Sequence, residues 1–176
     1  MLGHRLAVCL LAVSLLASPA AAQRAGSVEV GVLLRGTLFD PSLKVQTALG
    51  AGGRAGVYLA PRFLIEADIS TTTVNGLASF PKASYRPFHA RVNFLTPYAD
   101  RGKLVVGLGV VATHYGGDFG KNDNGLASLF GLRLDLHRSL VARVDLTFDF
   151  VPSPANGANN NLIGGMQIGV GYQFGQ

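Results

Sequence analysis

The chain has 176 residues, a single cysteine and a formal net charge of +5, from 15 basic and 10 acidic side chains. That length suits one domain, the lone cysteine excludes a disulfide framework, and bases scattered along the chain argue against a nucleic-acid partner. Mean hydropathy is positive at +0.32. Yet beyond the N-terminal segment the longest apolar run, Leu104 to Ala112, is nine residues with two glycines. A hydrophobic chain without a run of roughly 20 apolar residues has no membrane helix to offer, which leaves a soluble β protein or a membrane barrel.

The first element is a leader. His4 and Arg5 precede an apolar run from Leu6 to Ala17, followed by Ser18, Pro19, Ala20, Ala21 and Ala22. This is the basic, apolar, small-residue order of a secretory signal peptide, and the run is too short to span a bilayer as a helix. The expected division is a signal peptide over 1–22, cleaved near Ala22, and one barrel domain over 23–176. Cleavage removes Cys9, so the mature chain would hold no thiol. Val8 stands where a lipoprotein signal wants a small residue.

Strict alternation, the mark of a strand, then recurs eight times between Gly, Pro, Asn and Asp clusters. Strands are predicted near 27–39, 44–59, 62–74, 84–96, 102–115, 125–137, 139–150 and 161–174. In the first, Val28, Val30, Val32, Leu34 and Leu38 oppose Glu29, Arg35 and Thr37. The second sets Val45, Leu49, Val57 and Leu59 against Gln46, Gly50, Gly52 and Arg54. The third sets Phe63, Ile65 and Ile69 against Arg62, Glu66, Asp68 and Ser70, and the fourth Phe88, Ala90, Val92 and Phe94 against His89, Arg91 and Asn93. In the fifth, Leu104, Val106, Leu108 and Val110 oppose Gly107, Gly109, Thr113 and two valines. The sixth opposes Phe130, Leu132 and Leu134 to Gly131, Arg133 and Asp135. The seventh opposes Leu140, Val144, Leu146, Phe148 and Phe150 to Arg143, Asp145 and Asp149.

The charged face sums to equal numbers of acids and bases, and charge almost vanishes from the apolar face. A soluble barrel or sandwich would bury the apolar face; a transmembrane barrel would turn it to lipid. Strands this long exceed the usual 5–6 residues of soluble sheets and match a tilted crossing of roughly 9–11 residues plus rims. The glycines of the polar face make room inside a narrow barrel. The expected fold is therefore an all-β, eight-stranded antiparallel up-and-down transmembrane barrel. Its turns fall at Ala60-Pro61, Thr96 to Arg101 and His137 to Ser139. Its longer loops fall at Asp40 to Leu43, Asn75 to Pro81, Gly116 to Asn124 and Pro152 to Asn160, the asymmetry expected of such barrels.

The last strand adds a motif. Gln167, Gly169, Tyr172 and Phe174 follow the order polar, Gly, aromatic, aromatic. With the eight-strand parity, this resembles the small eight-stranded outer-membrane barrels of the OmpA/OmpX type, in which the barrel-assembly machinery reads such a terminal signal. The resemblance implies that machinery as a partner during biogenesis, outer-membrane lipid and lipopolysaccharide around a monomer, and an outer-membrane address. Two departures stand out: Gly175 and Gln176 follow the final aromatic, and no peptidoglycan-binding segment follows the barrel.

An eight-stranded barrel is just wide enough for side chains to fill. Glu29, Arg35, Arg54, Glu66, Asp68, Arg91, Arg133, Asp135, Arg143, Asp145 and Asp149 are accordingly expected to form an ion-paired lumen rather than a wide pore. Arg54 lies across a turn from Glu66 and Asp68. One register sets Arg133 against Asp145 and Asp135 against Arg143; the sequence leaves register open. A structural network is preferred over a gated ion path, because buried charges must satisfy one another.

No catalytic, cofactor-binding or metal-ligating set assembles. The spacing of His137-Arg138-Ser139 resembles the His-x-Ser pair of the lipid A deacylases, but it falls at a turn on the opposite side from the loops, and no Glu lies beyond Asp68. His89 is expected inside the barrel in a hydrogen-bonded role. On the lipid face, Arg86 and His114, with Lys82 just above, are the ionisable exceptions. They either meet lipopolysaccharide phosphates or snorkel into headgroups. The expected function is a small non-enzymatic barrel with a structural or surface-interaction role. The alternatives are a lipid-modifying outer-membrane enzyme, or a soluble exported barrel binding an apolar ligand.

Overall fold

A computed structural model describes residues 25–39, 47–74, 83–116, 120–154 and 160–175. The signal-peptide expectation for 1–22, most of the predicted loops and Lys82 lie outside the described residues.

Eight strands run in chain order: β1 (Val28–Leu38), β2 (Ala48–Ala60), β3 (Phe63–Val74), β4 (Ala83–Pro97), β5 (Gly102–Gly116), β6 (Lys121–Asp135), β7 (Leu140–Val151) and β8 (Asn161–Phe174). Each pairs antiparallel with its sequence neighbours, and β8 closes on β1. Closure leaves no unpaired sheet edge, the condition for backbone to cross a bilayer without a helix.

The register fixes the tilt. Following opposed residues round the wall leads from Val28 to Val57, Ile65, Val92, Leu108, Ser128, Phe148 and Gly164, and returns to β1 at Leu38, ten residues along from Val28. A stagger of this kind requires strands inclined by roughly 35–45° to the barrel axis. All side chains on that spiral belong to one wall face. The period-2 alternation therefore sorts the whole molecule into outside and inside.

The sorting is sharp along single strands. Val32 and Leu34 are 63% and 66% exposed, whereas their neighbours Leu33 and Arg35 are 3% and 0% exposed. Large apolar side chains cover the outer wall on all eight strands. A continuous apolar belt far exceeds the few hundred Å² that soluble monomers leave exposed. It belongs in lipid, which removes the alternative of a soluble barrel with its apolar face inward.

Three tight turns close one rim, here the turn rim: Pro61 and Arg62, Tyr98 to Arg101, and Leu136 to Ser139. Backbone bonds lock two of them, Tyr98 N–H to Gly102 C=O at 3.0 Å and Leu136 N–H to Leu140 C=O at 2.9 Å. Just above the turn rim, Phe63 packs on Phe94 and Tyr172 on Phe174, with ring centroids 5.3 and 4.8 Å apart. These pairs stand where an interfacial aromatic girdle is expected.

At the opposite, loop rim the sequence reading needs correction. The predicted loop from Gly116 to Asn124 is mostly strand. Tyr115 pairs with Lys121 and His114 with Asn122, so only residues 117–120 connect β5 and β6. Gly120 enters β6 with φ of 44°, a left-handed conformation that glycine adopts at little cost. Asn122, Asp123 and Asn124 read locally as turn formers, but the ladder to β5 overrides that preference.

Candidate functional site: the filled lumen and the outer rim

The lumen is built by one parity of each strand, and its glycines decide where long side chains fit. A β-carbon at Gly31 would stand 2.6 Å from the backbone oxygen of Val170 and 3.3 Å from Arg54 Nε, and one at Gly165 would stand 2.6 Å from Thr147 Oγ1 and 3.4 Å from Arg35 Nε. At Gly131 it would collide with Asp145 Oδ1. Bare backbone on one strand thus leaves room for the charged side chain of its neighbour.

Three groups of charges result. In the first, the Arg143 guanidinium bridges Glu66 of β3 and Asp145 of its own strand. Its Nη1 donates to Glu66 Oε2, while Nε and Nη2 fork onto Asp145 at 3.2 and 3.0 Å. Arg54 reaches the same Asp145 at 3.3 Å. In the second, His89 lies between two carboxylates, with Nδ1 2.9 Å from Asp68 Oδ1 and Nε2 3.1 Å from both oxygens of Asp149. Arg35 donates to Asp149 at 2.9 Å, Arg91 pairs with Asp68, and Gln167 Nε2 donates to Asp68 Oδ1 at 3.4 Å. In the third, nearest the turn rim, Arg133 joins Glu29 at 3.2 Å, Asp135, and Gln173 Oε1 at 2.8 Å. Lys103 Nζ meets Asp135 at 2.9 Å.

All eleven charged residues singled out from sequence thus face the lumen side and make ion pairs. Only Asp135, at 30% side-chain exposure, reaches the rim. The partners differ from the register suggested above. Arg133 lies opposite Arg143, Gly131 opposite Asp145 and Asp135 opposite Val141. Two arginines can face each other because one extends toward Glu29 and the other toward Glu66, carboxylates from across the barrel.

Apart from the two valines of β5, the sequence reading did not place the apolar part of the filling. Tyr58, Leu64, Leu95, Val105 and Leu129 form a buried cluster at the turn-rim half, and the Tyr58 hydroxyl donates to Glu29 Oε2 at 2.9 Å. Toward the loop rim, Tyr85 and Ile163 are buried with Phe39 and Tyr115 against them, with Tyr85 5.0 Å from Phe39 and 5.7 Å from Tyr115. Lys103 and the buried Asp123 were also missed. Continuing the alternation of β6 back through Gly125 would have found Asp123.

Of the terminal-strand motif, Gln167 and Gly169 face inward and Tyr172 and Phe174 outward. His137, Arg138 and Ser139 sit in the turn between β6 and β7. Among the described residues, no group of three or more His, Cys, Asp or Glu could hold a metal ion. On the outer wall, Arg86 stands directly opposite His114, and His114 Nδ1 donates to Asn122 Oδ1 at 2.7 Å.

No protein-family model matches the chain, and no curated protein matches it. Solved structures do. The outer membrane protein OprG from Pseudomonas aeruginosa superposes with a TM-score of 0.62 at 15% identity, covering 89% of this chain and all of its own. Its fold is that of the small eight-stranded outer-membrane barrels. Neisserial surface protein A gives a TM-score of 0.64 at 14% identity over 83% of this chain and 95% of that one. Ail, the attachment invasion locus protein of Yersinia pestis, gives 0.56 at 12% identity over 85% and 99%. At such identities the likeness speaks for architecture alone, because one fold hosts many functions.

Proposed function

We propose that the chain is an outer-membrane barrel of a double-membraned bacterium, delivered by a cleaved signal peptide and acting through its walls and loop rim rather than through a pore or a reaction. The observation that carries this reading is the division of the wall, apolar on the lipid side and ion-paired on the lumen side. In this reading the turn rim faces the periplasm and the loop rim the exterior. The lumen network is structural: it satisfies charges that an eight-stranded interior cannot leave solvated. The apolar clusters at both ends support a sealed interior. Gln167, Gly169, Tyr172 and Phe174 serve as the assembly signal. Gln167 then has two uses, since it also bonds Asp68.

The role on the cell is envelope integrity or presentation of the short loops to a surface partner. The names of two similar structures, a surface protein and an attachment invasion locus protein, support the second. Fractionation of the native protein tests the address: carbonate-resistant outer-membrane association with heat-modifiable gel mobility is expected, and a soluble periplasmic pool would sink the reading. In planar bilayers the purified barrel is expected to give no stable, sizeable conductance.

A further inference from the structure

Among the described residues, cations inside this barrel are matched to carboxylates, and the basic pair Arg86 and His114 on the outer wall is not. Arg86 of β4 lies directly opposite His114 of β5, and His114 directly opposite Asn122 of β6; all three side chains are exposed. Basic groups opposed on a sheet repel when both are charged. No acid among the described residues faces them on this wall. β3 presents Thr71 and Thr73 here, β4 adds Ser84 and Phe88, β5 adds Ala112, β6 adds Asn124, and Asp123 turns into the lumen.

The ring of His114 is held in place. Its Nδ1–H is committed to Asn122 Oδ1, which leaves Nε2 on the side of Ser84. The residue opposite Ser84 is Gly116. A β-carbon there would crowd Ser84 Oγ and lie 3.9 Å from His114 Nε2, so glycine keeps the wall open between hydroxyl and imidazole. A guanidinium fork, an imidazole, a hydroxyl and the Asn122 amide therefore border one stretch of wall. It lies at the loop-rim edge of the apolar belt, directly above Phe88 and Ala112, with Val110 one layer below.

We propose that Arg86 and His114 hold the phosphomonoester headgroup of an anionic outer-leaflet lipid, with Ser84 and Asn122 serving its remaining oxygens and the acyl chains lying along Phe88 and Val110. Arginine binds phosphate oxygens in a bidentate, charge-assisted way; with Nδ1–H given to Asn122, His114 Nε2 accepts the P–OH of a monoanionic phosphomonoester or, on the imidazolium, donates to a phosphate oxygen. The proposal rests on the outer-membrane reading. It differs from simple snorkelling, which needs one cation, no fixed imidazole and no choice of lipid.

The test uses the full chain refolded in neutral detergent, with native mass spectrometry against dioctanoyl phosphatidic acid, dioctanoylglycerol and inorganic phosphate. The phosphatidic acid is expected to bind at least about tenfold more tightly than the glycerol, a step of about 1.4 kcal/mol. That preference is expected to disappear in Arg86→Gln/His114→Gln and to persist in Arg101→Gln/Arg138→Gln at the turn rim. Equal binding of the two lipids, or an unchanged preference in the Arg86/His114 variant, overturns the proposal. Inorganic phosphate binding as tightly as the lipid overturns its lipid part. Heat-modifiable mobility and membrane fractionation of the same samples report the barrel separately, so a correctly inserted barrel indifferent to phosphate defeats this inference alone.

Discussion

The centre of the lumen and the β2–β6 side of its turn-rim half are made by the same parity of the strands, yet they are filled by opposite chemistry. Around Arg143 and His89 every charge leans on an oppositely charged partner, some from the same or the next strand and others, such as Glu66 and Asp149, from across the barrel. A few residues along the same strands, Leu64, Leu95, Val105 and Leu129 close an apolar cluster around Tyr58. The two fillings fail differently. An apolar side chain shortened leaves a void, whereas an ion-pair partner removed leaves a buried charge with nothing to answer it. Position in the barrel therefore says less about the cost of a change than the partner left behind.

The largest expected effect follows from that asymmetry. Arg143→Met strips Glu66 of its ion-pair partner and leaves Asp145 only the longer contact from Arg54. Breaking a buried pair from one side typically costs about 3–5 kcal/mol. Urea unfolding of the barrel in lipid vesicles, followed by far-UV circular dichroism because the chain has no tryptophan, is expected to show a loss of that size. The double variant Arg143→Met/Glu66→Met is expected to recover most of it, since Asp145 keeps Arg54. A double variant as unstable as the single one would mean that packing, not charge, governs the centre.

In the apolar half, Leu129→Ala is expected to cost about 2–4 kcal/mol, the transfer and cavity cost of shortening a buried leucine. The same unfolding experiment reads it. A loss under about 1 kcal/mol would mean that the cluster is loosely packed or open to water, which would also weaken the reading of a sealed interior.

Gly131→Ala probes the boundary between the two fillings. The added methyl would occupy the place of Asp145 Oδ1, forcing that carboxylate off the fork of Arg143. Overpacking of this kind costs about 1–3 kcal/mol. Pairing the change with Asp145→Ala should give a combined loss below the sum of the two single losses, because the carboxylate clash is gone, while the 2.8 Å approach to the backbone oxygen of Val144 leaves a residual cost.

This comparison also explains how much was legible in the sequence. Strand number, strand faces and the charged lumen residues follow from period-2 alternation, because a strand's side chains have only two directions to point. Register does not follow. Arg133 facing Arg143 rather than Asp145 is set by pairing around the entire closed sheet, which no single hairpin reveals. Leu64, Leu95 and Leu129 carry the lumen parity in plain view, but reading that face as polar hid them; only their convergence from neighbouring strands makes them a cluster. The start of β6 was lost for the converse reason. Asn122, Asp123 and Asn124 look like a turn until β5 is set beside them. At the rim, Arg86 and His114 stood out as ionisable on an apolar face, while the Asn122 partner that orients the imidazole appeared only with that ladder.

The smallest effect should come from Asp135, where the comparison reaches its limit. Asp135 bonds both Arg133 and Lys103, so a count of ion pairs would rank it with Asp145. Its side chain is 30% exposed, however, against 1% for Asp145. Water can take over part of its role, and Arg133 keeps Glu29 and Gln173. Exposed pairs typically contribute about 0–1 kcal/mol, so Asp135→Asn is expected to cost less than about 1 kcal/mol in the same unfolding assay, with part of that difference disappearing in high salt. A loss as large as that of Arg143→Met would show that the turn rim is sealed from solvent, and that the third charge group belongs with the centre rather than with the surface.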